Sequence, residues 1–192
     1  MRKEPVVSMS ATPLTRAIPD SLPLPRCRRC DFADRPFERE TAGAVLRAYA
    51  ARWQRVLADP RTTSRPVGAL AWSPLEHACH VRDMCLLFHQ RLDATLGTGR
   101  GPLPDPAVSG GHLPGLYRDE DPRRVAGELG RAARALALRL AALTAADWDH
   151  DDPRFPGERL TVDFFTRHLL HDIAHDLGEV LRAGDGGNAP AR

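Results

Sequence analysis

Histidines are the residues of this sequence whose types and spacing best suit chemistry. Five of the eight lie in two short stretches, 75–83 and 167–176. His171 and His175 are four residues apart, which is one turn of an α-helix, so their side chains share one helix face. Two imidazoles at this spacing form a good chelate for a divalent metal ion. The spacing therefore predicts a metal-binding pair, with hydrogen-bonded or solvated histidines as the alternative.

A third ligand is predicted on an earlier helix. On a helical wheel of 75–96, His77 and His80 fall inside the arc occupied by Val81 and Phe88, so both imidazoles point toward the core. A buried imidazole must find a partner, because leaving its polar nitrogens unsatisfied costs stability. His80 is the first candidate by face and His77 the second. With the pair, His80 would complete a three-histidine site with open coordination positions.

Four amphipathic helices must position these residues. Ser73, Pro74 and Glu76 form a capping box with proline at the first helical position. Asp121 before Pro122 and Thr161 before Val162 mark two further helix starts. Apolar residues at spacings of three and four predict four helices with no convincing strand, at 37–58, 74–96, 122–146 and 162–183. The simplest burial of four such stripes is an all-α four-helix bundle.

Composition excludes several classes of protein. The chain has 192 residues and a formal net charge of +2, so it lacks the basic field of a nucleic-acid binder. No run of 18 apolar residues is present, which excludes a membrane-spanning helix, and no signal peptide is apparent, which favours the cytoplasm. Four cysteines in such a chain do not predict disulfides, and Cys79 and Cys85 are expected to be small core residues.

Three segments are expected along the chain. Residues 1–36 contain six prolines and read as an extended N-terminal lead-in, 37–183 form the bundle, and 184–192 form a flexible tail. The lead-in carries a lone CxxC at Cys27 and Cys30. It is interpreted as surface thiols or a small knuckle, with a metal clip completed by a distant histidine as the alternative, because a structural zinc site needs four ligands. Five arginines of the third helix form a solvated face or hold an acidic cosubstrate: Arg123, Arg124, Arg131, Arg134 and Arg139.

Two motifs resemble one family. The stretch W-S-P-L-E-H-A-C-H-V-R-D at 72–83 resembles W-S-x-L-E-Y-A-C-H-V-R-D, the helix 2 signature of an actinobacterial branch of the DinB-like superfamily. The stretch H-L-L-H-D-I-A-H-D-L-G-E-V at 168–180 is similar to that branch's late H-D-x-x-H-H-L-x-D-V. The likeness extends over about 40–182. It departs at His77, where the branch has tyrosine, at Asp176, where it often has histidine, and at 109–112, where an aspartate-bearing stretch is replaced.

The resemblance implies a fold and a metal site. The family folds as an up-down-down-up four-helix bundle, often dimeric, so a homodimer is expected here. Its divalent metal is held by one histidine of helix 2 and an i,i+4 pair of the last helix, which correspond to His80, His171 and His175. Zn²⁺ is the first choice, with Ni, Fe or Mn as alternatives. Characterised relatives include thiol S-transferases that use mycothiol or bacillithiol, and a mycothiol-dependent isomerase.

The leading hypothesis is a metal-dependent thiol S-transferase acting on a small electrophilic molecule, with mycothiol as cosubstrate. Asp172 or Asp83 would orient the ligand imidazoles, and His168 would move a proton. One alternative is a thiol-independent isomerase, cyclase or hydrolase that uses the metal as a Lewis acid. Another is a non-catalytic binding or stress-response module. No nucleic-acid or membrane partner is expected.

Overall fold

The computed structural model describes residues 38–60, 72–98, 117, 119–157 and 159–186. The predicted lead-in with Cys27 and Cys30 and most of the predicted tail lie outside these residues, as does the loop stretch 109–112. In the described part of the chain, the secondary structure is a 3₁₀ turn at Arg39–Thr41 and five α-helices: α1 (Ala42–Ala58), α2 (Pro74–Thr95), α3 (Pro122–Ala141), α4 (Ala145–Trp148) and α5 (Val162–Gly186). The described ranges contain no β-strand, only an isolated bridge between Asp151 and Thr161. The all-α prediction is confirmed.

The helices begin where the capping residues predict. Glu76 N donates to Ser73 Oγ at 3.3 Å and Ser73 N donates to Glu76 Oε2 at 2.8 Å, so the capping box of α2 is complete. Asp121 accepts from the amide of Arg124 at 2.7 Å. Each cap satisfies an amide that the first turn of a helix leaves without an intrahelical partner.

Three predicted helix ends differ from the structure. The first helix begins at Ala42 after the 3₁₀ turn, rather than at 37. The third ends at Ala141 rather than 146, because Thr144 and Asp147 form a second capping box that starts α4. The last helix passes Gly184 and ends at Gly186, because glycine lowers helix propensity without forbidding helical backbone.

The four long helices enclose one core. Each of α3 and α5 packs against both α1 and α2, and the contact between α1 and α3 is the most extensive. Gly43 explains this close approach, because a Cβ there would lie 2.8 Å from the carbonyl oxygen of Ala137. Trp53, Leu136 and Leu170 are fully buried among aliphatic side chains from all four helices. None of the described helices is both long and apolar enough to cross a membrane.

Burial follows the apolar stripes at most positions of the helices. Cys79 and Cys85 are buried as expected, and burial raises the pKa of each thiol to about 12. Leu181 of α5 is an exception among the apolar residues, because it is 47% exposed. Arg82 is only 9% exposed although it is charged, because its guanidinium packs against Asp83 of the same helix and Glu128 of α3.

A buried carboxylate fixes the connection between α4 and α5. Asp152 is 1% exposed and accepts hydrogen bonds from Arg91 of α2 at 2.8 Å and from Arg154 at 2.7 Å. Burial disfavours the ionised form of this carboxyl, but the hydrogen bonds from the two guanidiniums outweigh that cost and lower the pKa of Asp152 to about 2. The bond from Arg91 to Asp152 therefore attaches this connection to α2 just before the N-terminus of α5, the helix that carries His171 and His175.

Candidate functional site

The predicted metal-binding pair is adjacent on α5. The ring centroids of His171 and His175 are 5.8 Å apart, and their side chains are 13% and 23% exposed. Two imidazoles that share a cation at about 2.0–2.1 Å from each nitrogen have ring centres about 5–6 Å apart. The spacing within this pair therefore suits a shared divalent ion, as the sequence predicts.

Each ring of the pair contacts a carboxylate of its own helix. His171 Nδ1 lies 3.1 Å from Asp172 Oδ1, and His175 Nε2 lies 3.1 Å from Glu179 Oε1. A carboxylate accepts hydrogen bonds, so the nitrogen that faces it carries the proton. In neutral rings, the basic nitrogens are then His171 Nε2 and His175 Nδ1. A carboxylate that fixes the tautomer in this way is a common companion of a metal-ligating histidine.

His80 and His77 occupy consecutive turns of α2 beside Trp72. The ring centroids of Trp72 and His80 are 5.1 Å apart, and those of Trp72 and His77 are 5.6 Å apart, both edge-on. The indole therefore limits the movement of both imidazoles. Trp72 lies within the motif at 72–83, but the sequence analysis gave it no role of its own.

Near the histidines, His77 of α2 contacts Asp176 of α5. Its Nδ1 lies 3.5 Å from Asp176 Oδ2, and the two side chains are 5% and 14% exposed. The distance is long for a hydrogen bond, and His77 Nδ1 has no hydrogen-bond partner among the described residues. These are two of the positions at which the sequence departs from the family pattern, and the structure places them against each other.

Three imidazoles are suitable ligands for a divalent cation, but the described side chains do not form a complete three-ligand site. Among the described residues, no group of three or more His, Cys, Asp or Glu side chains is arranged to hold a metal ion. Imidazole nitrogens are suitable ligands for zinc and its neighbours. The ligand set of His80, His171 and His175 therefore stays a prediction, with two members adjacent and the third on the neighbouring helix.

The three predicted supporting residues lie in different surroundings. Asp172 contacts His171 and is also 3.5 Å from His168 Nε2. His168 is 52% exposed and its ring lies parallel to that of Phe164, so the imidazole is accessible to solvent. Asp83 contacts Arg82 Nε at 2.8 Å and the hydroxyl of Tyr117 at 2.9 Å.

Two residues of this region were missed by the sequence analysis. Glu179 lies one turn beyond His175, and that i,i+4 spacing could have found it. Tyr117 lies on the connection between α2 and α3, five residues before Pro122, and gave no sequence signal. Its ring centroid is 6.0 Å from that of Trp72, and burial together with the bond to Asp83 raises the pKa of its hydroxyl.

Comparison with known proteins identifies the family. The family model of the DinB superfamily matches residues 52–180, which is more than half of the chain. The protein belongs to the DinB superfamily. No curated protein matches the chain, and no solved structure matches it.

Proposed function

We propose that this DinB-superfamily protein is a metal-dependent enzyme that joins a low-molecular-weight thiol, of the mycothiol type, to a small electrophilic molecule. The observation that carries the proposal is the pair His171 and His175, 5.8 Å apart, each with a carboxylate on one ring nitrogen. His80 is the proposed third ligand, because it lies on α2, which packs against α5. Zn²⁺ is the first candidate ion, with Ni, Fe or Mn as alternatives.

The surrounding residues have separate proposed tasks. Asp172 and Glu179 hold the two rings of α5 in one tautomer and orientation. Trp72, two residues before the start of α2, holds the ring of His80 by an edge-on contact. When bound, a divalent cation would favour the thiolate form of a thiol, which is the nucleophilic form.

The nucleophilic sulfur is proposed to come from a cosubstrate. Cys79 and Cys85 are buried, and the raised pKa of each keeps its thiol protonated at neutral pH. In the proposed reaction the S–H bond of the cosubstrate breaks and a bond forms between its sulfur and an electrophilic carbon, while the bond from that carbon to a leaving group such as halide breaks and the leaving group departs with the electron pair. The thiol proton passes to His168, which lies at the exposed end of the histidine cluster beside Asp172.

Metal analysis tests the site. The purified protein is incubated with Zn²⁺, Ni²⁺, Mn²⁺ or Fe²⁺, desalted, and its metal content is measured. We expect about one ion per chain in the wild type and in the control H150A, whose histidine is exposed and far along the chain from the pair. H171A and H80A are expected to lose the ion. Equal, negligible metal in all four proteins would contradict the metal site and favour the non-catalytic alternative.

A second assay separates the two enzymatic alternatives. Metal-loaded protein is mixed with mycothiol or glutathione and an aryl halide, and free thiol is followed with time. Consumption of thiol by the wild type, absent in H171A, supports the proposed transfer. Turnover of a carbonyl compound without thiol would instead favour the Lewis-acid isomerase, cyclase or hydrolase.

A further inference from the structure

A groove lies between α1 and α3, on a different helix pair from the histidine residues of α2 and α5. Its volume is about 520 Å³, within the range of about 300–1,000 Å³ typical of small-molecule sites. Residues of both helices line it: Arg47 and Gln54 of α1, and Gly127, Gly130, Arg131 and Arg134 of α3, together with four alanines and one leucine.

Small residues make this groove. Gly127 and Gly130 have no side chain, and the alanines contribute only methyl groups, so the floor is made of backbone and methyl carbons. Gln54 Nε2 donates to the carbonyl oxygen of Ala126 at 3.1 Å and lies over Gly130, where a Cβ would approach it to 2.4 Å. The side-chain amide of Gln54 therefore occupies one part of the groove and presents a polar group to its interior.

Three guanidiniums border the groove. Arg47 comes from α1, and Arg131 and Arg134 come from α3; all three are exposed. None of them makes an ion pair with the described part of the chain, whereas Arg82, Arg91 and Arg139 each bind a carboxylate. The described lining contains no Asp or Glu. Positive charge thus accumulates around a concave surface with no carboxylate of the groove to neutralise it.

We propose that this groove binds a small organic anion with two or more carboxylate or phosphate groups. A guanidinium presents paired donors that match the oxygens of either group, and arginines on both walls would hold two such groups at once. Leu138, which is 65% exposed, and the alanine methyls provide apolar contact for the carbon skeleton. A second copy of the chain is a poor occupant, because a two-fold interface would set these arginines against each other. The inference is independent of the proposed metal site.

The test uses the full chain, labelled with ¹⁵N, and follows backbone amide shifts during titration at low salt with succinate and, separately, pyrophosphate, each of which carries two anionic groups. We expect saturable shifts at the amides of Gln54, Gly127 and Gly130. Tighter binding of succinate identifies the preferred group as carboxylate, and tighter binding of pyrophosphate identifies it as phosphate; either supports the shared chemistry. Wild-type protein that shows no saturable shift with either probe overturns the proposal.

Matched variants separate the groove from general charge. In R131A/R134A we expect affinity to fall at least about tenfold, because each lost charge-assisted contact is worth roughly that factor. R55A/R123A removes the same charge from exposed arginines outside the lining and is expected to keep wild-type affinity. Equal weakening in both double variants would overturn the proposal, because it would show non-specific attraction.

A further pair of variants tests the cavity itself without changing charge. Ala51 is exposed and lines the groove, whereas Ala48 is exposed on the same helix outside the lining. A51W is expected to fill the groove and abolish the saturable shifts, and A48W is expected to retain them. Retained binding in A51W, with unfolding temperatures equal to wild type, would contradict a ligand seated between α1 and α3.

Discussion

His77 of α2 faces Asp176 of α5, with Nδ1 and Oδ2 3.5 Å apart and both side chains largely buried. These two residues replace the tyrosine and histidine expected from the family-like motifs, and they lie 99 positions apart in the chain. A local pattern cannot relate them. Their contact indicates that the two differences from the family motifs form one interaction. It lies between α2 and α5, the helices that carry His80 and His175.

The first prediction concerns this contact. H77A and D176A should each lower the free energy of unfolding by about 1 kcal/mol or more, because each removes the polar group that faces the other across the contact between α2 and α5. The double variant should cost less than the sum of the two single variants, by about 0.5 kcal/mol or more. Urea denaturation of the four proteins measures this coupling. Strictly additive effects would show that the pair does not interact, and H150A serves as the exposed-histidine control.

The second prediction concerns the carboxylate beside His171. D172N should weaken metal affinity about 10–100-fold, because an amide no longer fixes the ring in the tautomer that leaves Nε2 basic. Competition with a chelator of known affinity measures the change. D151N, which alters an exposed carboxylate on the connection before α5, should leave metal affinity as in wild type. Unchanged affinity in D172N would remove the orienting role proposed for Asp172.

The third prediction concerns the buried carboxylate Asp152. D152N should lower the free energy of unfolding by about 3 kcal/mol near neutral pH, because it leaves Arg91 and Arg154 without their counter-charge. The folded-state pKa is lowered from 3.8 to about 2, so the carboxylate stabilises the fold above about pH 4. That contribution is lost as pH falls through the interval between these values.

Denaturation of wild type and D152N at several pH values tests the sign. The difference in stability between the two proteins should be largest near neutral pH and should shrink steadily below about pH 4. A difference that stays constant across this interval would show that Asp152 does not stabilise the fold through its charge.

The fourth prediction compares two arginines that share a carboxylate. Arg82 is 9% exposed and bonds to Glu128 at 2.8 Å, whereas the side chain of Arg124 is 52% exposed and bonds to the same residue at 3.1 Å. R82A should cost about 3 kcal/mol of stability, because it removes a largely buried guanidinium that contacts three carboxylates, those of Asp83, Glu120 and Glu128. R124A should cost less than about 1 kcal/mol, because water screens an exposed ion pair. Thermal unfolding of both variants measures the contrast, and equal losses would contradict it.

Much of this protein is determined by short stretches of its sequence. The caps at Ser73 and Asp121 involve residues only three positions apart. The apolar stripes repeat every three to four residues, so both features can be predicted from the sequence alone. The pairing of His171 with His175 is equally local, because four residues make one helical turn. A local signal can still be overlooked. The capping box of Thr144 and Asp147 is visible in the sequence, but the predicted third helix extended over Thr144 to residue 146.

Only the tertiary structure decided which faces meet. Arg82 is buried because α3 brings Glu128 against it, Asp152 is charged and buried because Arg91 reaches it from α2, and His77 meets Asp176 because α2 packs on α5. Each contact joins residues that are at least 46 positions apart. A helical wheel gives the direction of a side chain relative to its own axis, but its partner depends on how the helices pack, and that is a property of the whole fold.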